Sequence, residues 1–185
     1  MSFHFRIQIN DITGPPVWRR LLVPEQFSFW RFHLLLQTAF GWHNSHLFQF
    51  SPGGYNTQPL IGVPYPEAEE KILDCKKVKL PTIFNIPGQQ FIYLYDFGDS
   101  WEHLITLEKI TIDKMLKAAY IDGEGACPPE DCGGPWGYED FKVIMNDPKN
   151  PEHASMKEWM GLSKKQKFDA HSFNPDRIRL IVPKV

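Results

Sequence analysis

The strongest constraint in this 185-residue chain is a pair of aromatic, apolar segments around a short turn. Phe91-Ile92-Tyr93-Leu94-Tyr95-Asp96-Phe97 and Trp101-Glu102-His103-Leu104-Ile105-Thr106-Leu107 flank Gly98-Asp99. Residues with high strand preference on both sides of a Gly/Asp turn specify an antiparallel hairpin. A loop of two or four residues gives the same pairing, Asp96 opposite Trp101 and Leu94 opposite His103. One face then carries Ile92, Leu94, Asp96, Trp101, His103, Ile105 and Leu107. An acid and an imidazole thus lie diagonally on a mostly apolar surface, which makes the hairpin the first place to look for chemistry.

The remaining segments supply partners for that hairpin. Phe3 to Asn10 alternates with period two, as a half-buried strand does, and Val17 to Val23 is a second strand ended by Pro24. Ser28 has the chemistry of a helix N-cap, with Phe27 and Phe32 placed as a hydrophobic staple. The helix is predicted over Phe29 to Phe40, burying Phe29, Phe32, Leu36 and Phe40, with Gly41 as its left-handed stop. His46 to Phe50 reads as a third strand. Ser51 to Pro66, with four prolines and three glycines, reads as a long surface loop, followed by a charged stretch from Glu67 to Lys79. The segment up to Tyr120-Ile121 is compatible with strand or helix. Asp122 to Gly137 reads as a rigid loop, Tyr138, Phe141 and Met145 as a helical stripe, and Asn150 to Gly161 as a short helix burying Met156, Trp159 and Met160. Asn174-Pro175-Asp176 carries one more cap signal, before an apolar end from Arg177 to Val182. The expected architecture is one α+β domain over residues 1–185. Its largely antiparallel, aromatic-rich sheet has one early helix on a face and short C-terminal helices.

Composition excludes several classes. With 20 basic and 22 acidic side chains and a net charge of −2, the chain lacks the basic face of a strongly basic DNA binder. Its 14% aromatic content argues against disorder, and no apolar run is long enough for a membrane span. The N-terminus lacks the pattern of a signal peptide, which points to the cytoplasm. Three cysteines, Cys75, Cys127 and Cys132, are an odd number for a disulfide framework.

Three constellations could carry chemistry. In the hairpin, Asp96, Asp99, Glu102 and His103 offer hard oxygen ligands, a general base and an imidazole; the alternative is that Asp99 serves the turn, Glu102 is solvated and Asp96 bonds backbone groups. In Cys127-Pro128-Pro129-Glu130-Asp131-Cys132 the two thiols stand at the edge of zinc-ligand spacing and need further ligands, such as His46, His103, Asp131 or Cys75, from elsewhere. The third, Trp42-His43-Asn44-Ser45-His46, places two histidines near a helix end. No P-loop, dinucleotide fingerprint or nucleophile elbow is present.

Trp18-Arg19-Arg20 with Val23-Pro24, Gln37 to Trp42 followed by His46 to Phe50, Tyr95 to His103, and Ala126 to Tyr138 together resemble the plasmid pRiA4b ORF-3-like family, in order and over nearly the whole chain. The resemblance implies an association with plasmids and insertion elements, and for some members a resolvase-like label. It supplies no reaction, substrate or catalytic residue. The chain departs from the pattern at Phe48, where members often carry histidine, and shows no serine or tyrosine recombinase constellation.

Two functions follow as expectations. The first is a non-enzymatic binding or accessory module for a protein, peptide or nucleic-acid partner, presenting Trp42, His46, Trp101, Glu130 and Asp131 on an aromatic surface. The alternative is a metal-dependent hydrolase or nuclease. In it Asp96, Asp99 and His103 hold zinc or another divalent cation and Glu102 or Glu130 acts as base. Asp96, His103, Cys127 and Cys132 are the candidate metal ligands.

Overall fold

The predicted strands join into a single sheet in the computed structural model, which describes residues 1–55, 57–113 and 115–175. The elements are β1 (Ser2–Ile9), β2 (Trp18–Pro24), α1 (Phe29–Phe40), β3 (Phe48–Ser51), β4 (Leu60–Gly62), β5 (Ile72–Asp74), β6 (Gln90–Tyr95), β7 (Trp101–Thr111), β8 (Ala119–Glu124), α2 (Gly134–Asn146) and α3 (His153–Trp159). The sheet runs β5-β4-β3-β6-β7-β1-β2-β8. Every neighbouring pair is antiparallel except β4 and β5. The fold is α+β.

Helix α1 forms where its cap chemistry puts it. The Ser28 hydroxyl accepts from the Arg31 amide at 3.3 Å, and Gly41 ends the helix at φ 75°. Its buried face packs Phe29 and Phe32 against Phe50 of β3 and Phe5 of β1, with ring centroids 5.0 to 6.0 Å apart. The same face also buries His33 and Gln37, which bond the Tyr93 hydroxyl at 2.8 and 2.9 Å. These three side chains satisfy one another in a site that would otherwise leave polar atoms unpaired.

Arg19 on β2 is 2% exposed and has no carboxylate in its bonding shell among the described residues. Its guanidinium donates to four carbonyls: Ala39 at 3.2 Å, Trp18 at 2.8 Å, Glu124 at 2.7 Å and Gly125 at 3.0 Å. Ala39 lies in the last turn of α1, where the helix dipole places partial negative charge. The cation therefore ties the end of that helix to β2 and β8.

The hairpin forms, but one residue out of the expected register. Tyr95 pairs with Trp101 and Tyr93 with His103. The connection is five residues, Asp96 to Ser100, closed by the Ser100 amide on the Asp96 carbonyl at 2.7 Å. The odd loop length turns Phe91, Tyr93, Tyr95, Trp101, His103, Ile105 and Leu107 inward. Both tyrosines find partners for their hydroxyls there, which the even-loop register would have turned away.

Other expectations shift in the same way. The loop after Ser51 contains β4, and the charged stretch contains β5, both too short for a periodic signal. The undecided segment is strand β8. The helix expected from Pro151 begins at His153, with Trp159 half-exposed at 49% rather than buried. The expected apolar end from Arg177 to Val182 lies outside the described residues.

Candidate functional site

Three loops meet at one end of the sheet. The loop after α1 brings His46, the β6–β7 connection brings Asp96, and the segment between β8 and α2 brings Asp131. The imidazole lies between the two carboxylates, with Nδ1 3.5 Å from Asp96 Oδ2 and Nε2 2.9 Å from Asp131 Oδ1. Side-chain exposure is 29% for His46, 12% for Asp96 and 67% for Asp131, so the cluster is anchored on one side and open on the other.

Each loop reaches this point by a specific device. Asn44, Asp96 and Asp131 all hold positive φ, at 59°, 54° and 60°, a conformation Asn and Asp tolerate better than most side chains. Asp96 Oδ1 accepts from the Gly98 amide at 2.9 Å, which leaves Oδ2 facing His46. The Tyr95 hydroxyl donates to Glu130 and accepts from the amides of Ser45 and His46 at 3.0 and 3.3 Å. Burial and then the Glu130 carboxylate push the Tyr95 hydroxyl well above the ordinary tyrosine range, so it keeps its proton. The second Glu130 oxygen accepts from the His43 amide at 2.9 Å, and the Trp42 indole donates to the Pro128 carbonyl at 2.9 Å.

The other residues that the sequence suggested lie away from this point. His103 is fully buried among Phe40, Trp42 and Tyr93. Its Nδ1 faces the carbonyls of Trp101 and Tyr93 at 3.0 and 3.2 Å, and burial lowers its pKa to about 4. It is a neutral core residue and does not join Asp96, because the shifted register carries its ring under α1. Glu102, on the other face of β7, lies against Gly54. Asp99 accepts from the Gly133 amide at 3.1 Å and so caps the start of α2. Trp42 and Trp101, expected on a binding surface, are 7% and 0% exposed and support the loops from beneath.

The cysteines also stand apart. Burial holds the Cys127 thiol far above its usual pKa and pushes Cys132 up to about 12. Among the described residues, the one group of three His, Cys, Asp or Glu side chains able to share an ion is His46, Asp96 and Asp131, with ligand atoms within 4.8 Å of one another.

Next to His46 opens a groove of about 300 Å³ that Trp30, Phe48, Tyr55, Leu60, Tyr65 and Phe97 help to line. Tyr55 and Tyr65 are 61% and 58% exposed, and Tyr55 meets Phe97 edge-on at 5.6 Å. Phe48 stacks on His33 at 3.6 Å and forms part of the groove floor. The sequence led to an expected aromatic groove beside the hairpin turn and the cysteine loop, but with Trp42 and Trp101 on it, both of which are buried; the lining tyrosines, in a Pro/Gly-rich loop, were not singled out. A larger cleft of about 810 Å³ lies on the other side, where Glu130 and Asp131 face Lys167 and Phe173.

The profile of the plasmid pRiA4b ORF-3-like protein family matches residues 1–177. The chain belongs to this family. Among relatives, it is similar to the uncharacterised protein y4hQ of Sinorhizobium fredii, 40% identical over 159 residues that cover 83% of this chain and 78% of the relative. Among solved structures, it is similar to a protein of unknown function from Methanosarcina mazei Go1. The TM-score is 0.78 at 31% identity, covering 96% of this chain and 97% of the other. Among the described residues, no helix of this pRiA4b ORF-3-like chain is long and apolar enough to cross a membrane.

Proposed function

We propose that the chain is a non-enzymatic binding module whose ligand lays an apolar or aromatic body in the groove and a polar, cationic end against His46, Asp96 and Asp131. The observation that carries this reading is the groove itself. Exposed aromatic side chains are costly to leave in water unless something covers them, and here they surround a concave surface that is also lined by His46, whose ring lies beside the carboxylates of Asp96 and Asp131. Aromatic faces and carboxylates both favour an ammonium or guanidinium group. A lysine- or arginine-bearing peptide with a neighbouring apolar residue fits that chemistry.

The metal-dependent hydrolase reading draws less support. Of its ligands Asp96, Asp99 and His103, one caps a helix and one is buried in the core. The test is amide and indole chemical-shift mapping with short peptides pairing lysine or arginine with phenylalanine or leucine. Shifts should gather on Trp30, His46 and Phe97, and Tyr55→Ala and Phe97→Ala should each weaken binding about tenfold. Shifts confined to other surfaces would overturn the reading, as would unchanged affinity in both variants.

A further inference from the structure

We propose that the groove beside His46 selects a methylated ammonium, the head of a trimethyllysine side chain in a peptide, over the unmethylated head of lysine or arginine. The inference rests on the binding-module reading above for the peptide, and it deepens that reading by naming the chemical form of the cationic end.

The walls present rings from several elements. Trp30 comes from α1, Phe48 from β3, Tyr55 and Tyr65 from either side of β4, and Phe97 from the hairpin loop. Tyr55 and Phe97 are both exposed and stand at 87° with centroids 5.6 Å apart, so two loops build an open corner. A rounded cation with methyl groups on every side can touch two ring faces at once in such a corner, and each face attracts it through the ring quadrupole. Lys76, which is not a lining group, already holds its ammonium 5.2 Å from the Trp30 ring centre, a contact of the same kind.

The polar groups then decide which cation the groove takes. Among the described residues that line it, none is Asp, Glu, Lys or Arg. Asp96 and Asp131 stand beside it, each with an oxygen turned to a different nitrogen of the His46 ring, at 3.5 and 2.9 Å. Two polar side chains of the wall are engaged as well: Asn44 Oδ1 with His33 Nε2 at 2.7 Å, and Gln49 Nε2 with the Gly54 carbonyl at 3.1 Å. A lysine head brings three N–H donors and an arginine head five. Either gives up water for ring faces that satisfy few of those donors, which is costly. A trimethylammonium carries the same charge with no N–H to satisfy.

Charge still enters at longer range. Asp96 and Asp131 flank His46 at one end of the groove, and Glu102 lies against Gly54, the chain neighbour of Tyr55. Acids grouped around an uncharged aromatic wall attract a cation without a direct ion pair. The groove crosses β3 and β4 to Ile72 of β5, the end strand of the sheet, so a peptide can lie outside the edge while one long side chain enters. A volume of about 300 Å³ suits that single side chain.

The experiment is calorimetric titration of the full chain with three peptides of one sequence. Beside a leucine they carry lysine, trimethyllysine or the uncharged tert-butyl isostere of trimethyllysine. The trimethyllysine peptide should bind at least about tenfold tighter than the lysine peptide, and the isostere should lose that gain. Tyr55→Leu and Phe97→Leu keep apolar bulk without a ring face, and each should bring the ratio of trimethyllysine to lysine affinity toward one. Both side chains are exposed, so the variants keep the fold. Equal affinity for lysine and trimethyllysine overturns the proposal and, where both shift the groove resonances, leaves the module standing. Equal affinity for the isostere overturns it too, because the groove would then read apolar bulk alone. Tetramethylammonium alone, shifting the amides of Tyr55 and Phe97 while no peptide binds, would sink the module and leave the ammonium site. No shift with any of the four sinks both.

Discussion

At the scale of single residues, the decisive partition is between two histidines that looked alike in the sequence. His46 lies half-buried between two acids, while His103 is enclosed in aromatic rings. Burial lowers both His103 and His33 from the ordinary histidine value to about 4. The unfolded chain takes up protons on these rings near pH 6.5, whereas the folded chain takes them up only near pH 4. The stability they contribute as neutral rings is therefore complete above about pH 6.5 and is lost as the pH falls toward 4, each ring accounting for on the order of 3 kcal/mol. Urea midpoints should fall across that window, and His103→Phe should remove roughly half of the dependence. An equally steep fall in the variant would show that His103 is not the buried, neutral group described.

At the scale of elements, the hairpin loop is coupled to a helix distant in sequence. The Asp99 carboxylate caps α2, and the Asp99 carbonyl lies where a side chain on Gly134 would have to go. Asp99→Ala should cost about 1 kcal/mol of stability, as the loss of a helix cap does, read as a lowered urea midpoint. An unchanged midpoint would show that the Asp99 carboxylate does not support the start of α2. Much at this scale was legible in advance. Ser28, Gly41 and the Phe29 to Phe40 stripe specified α1 to the residue, because caps and periodicity are local. The hairpin was legible as a pairing but not in register, since a five-residue loop and an even one share the same Gly98-Asp99 signal and differ by the face each side chain takes. Asp96, His46 and Asp131 were each singled out, yet not as a group. Their meeting depends on β3 pairing with β6 and on the Tyr95–Glu130 bond, neither of which leaves a local trace.

At the scale of the whole molecule, the sheet is continuous from β5 to β8, and Arg19 fastens its far end to α1. Replacing Arg19 with methionine preserves the length of the side chain but leaves four carbonyls without their shared donor. The expected loss is about 3 kcal/mol, read as a lowered urea midpoint with an unchanged slope. A midpoint within experimental scatter of wild type would mean that water satisfies those carbonyls. Helix α2 closes the same end of the sheet. The Tyr138 hydroxyl donates to the Ala126 carbonyl at 2.9 Å, and Lys142 Nζ donates to the Thr13 carbonyl at 3.0 Å.

The convergence of three distant loops on His46 also sets an order of events during synthesis. A ribosome that has released the chain only as far as β7 has already delivered His46 and Asp96, but Asp131, Glu130 and the Pro128 carbonyl beneath Trp42 are still inside it. The pole of the groove is thus the last part of the sheet's end to be finished. A product that stops short of the cysteine loop would carry the aromatic wall with Asp96 alone, lacking the second carboxylate beside His46.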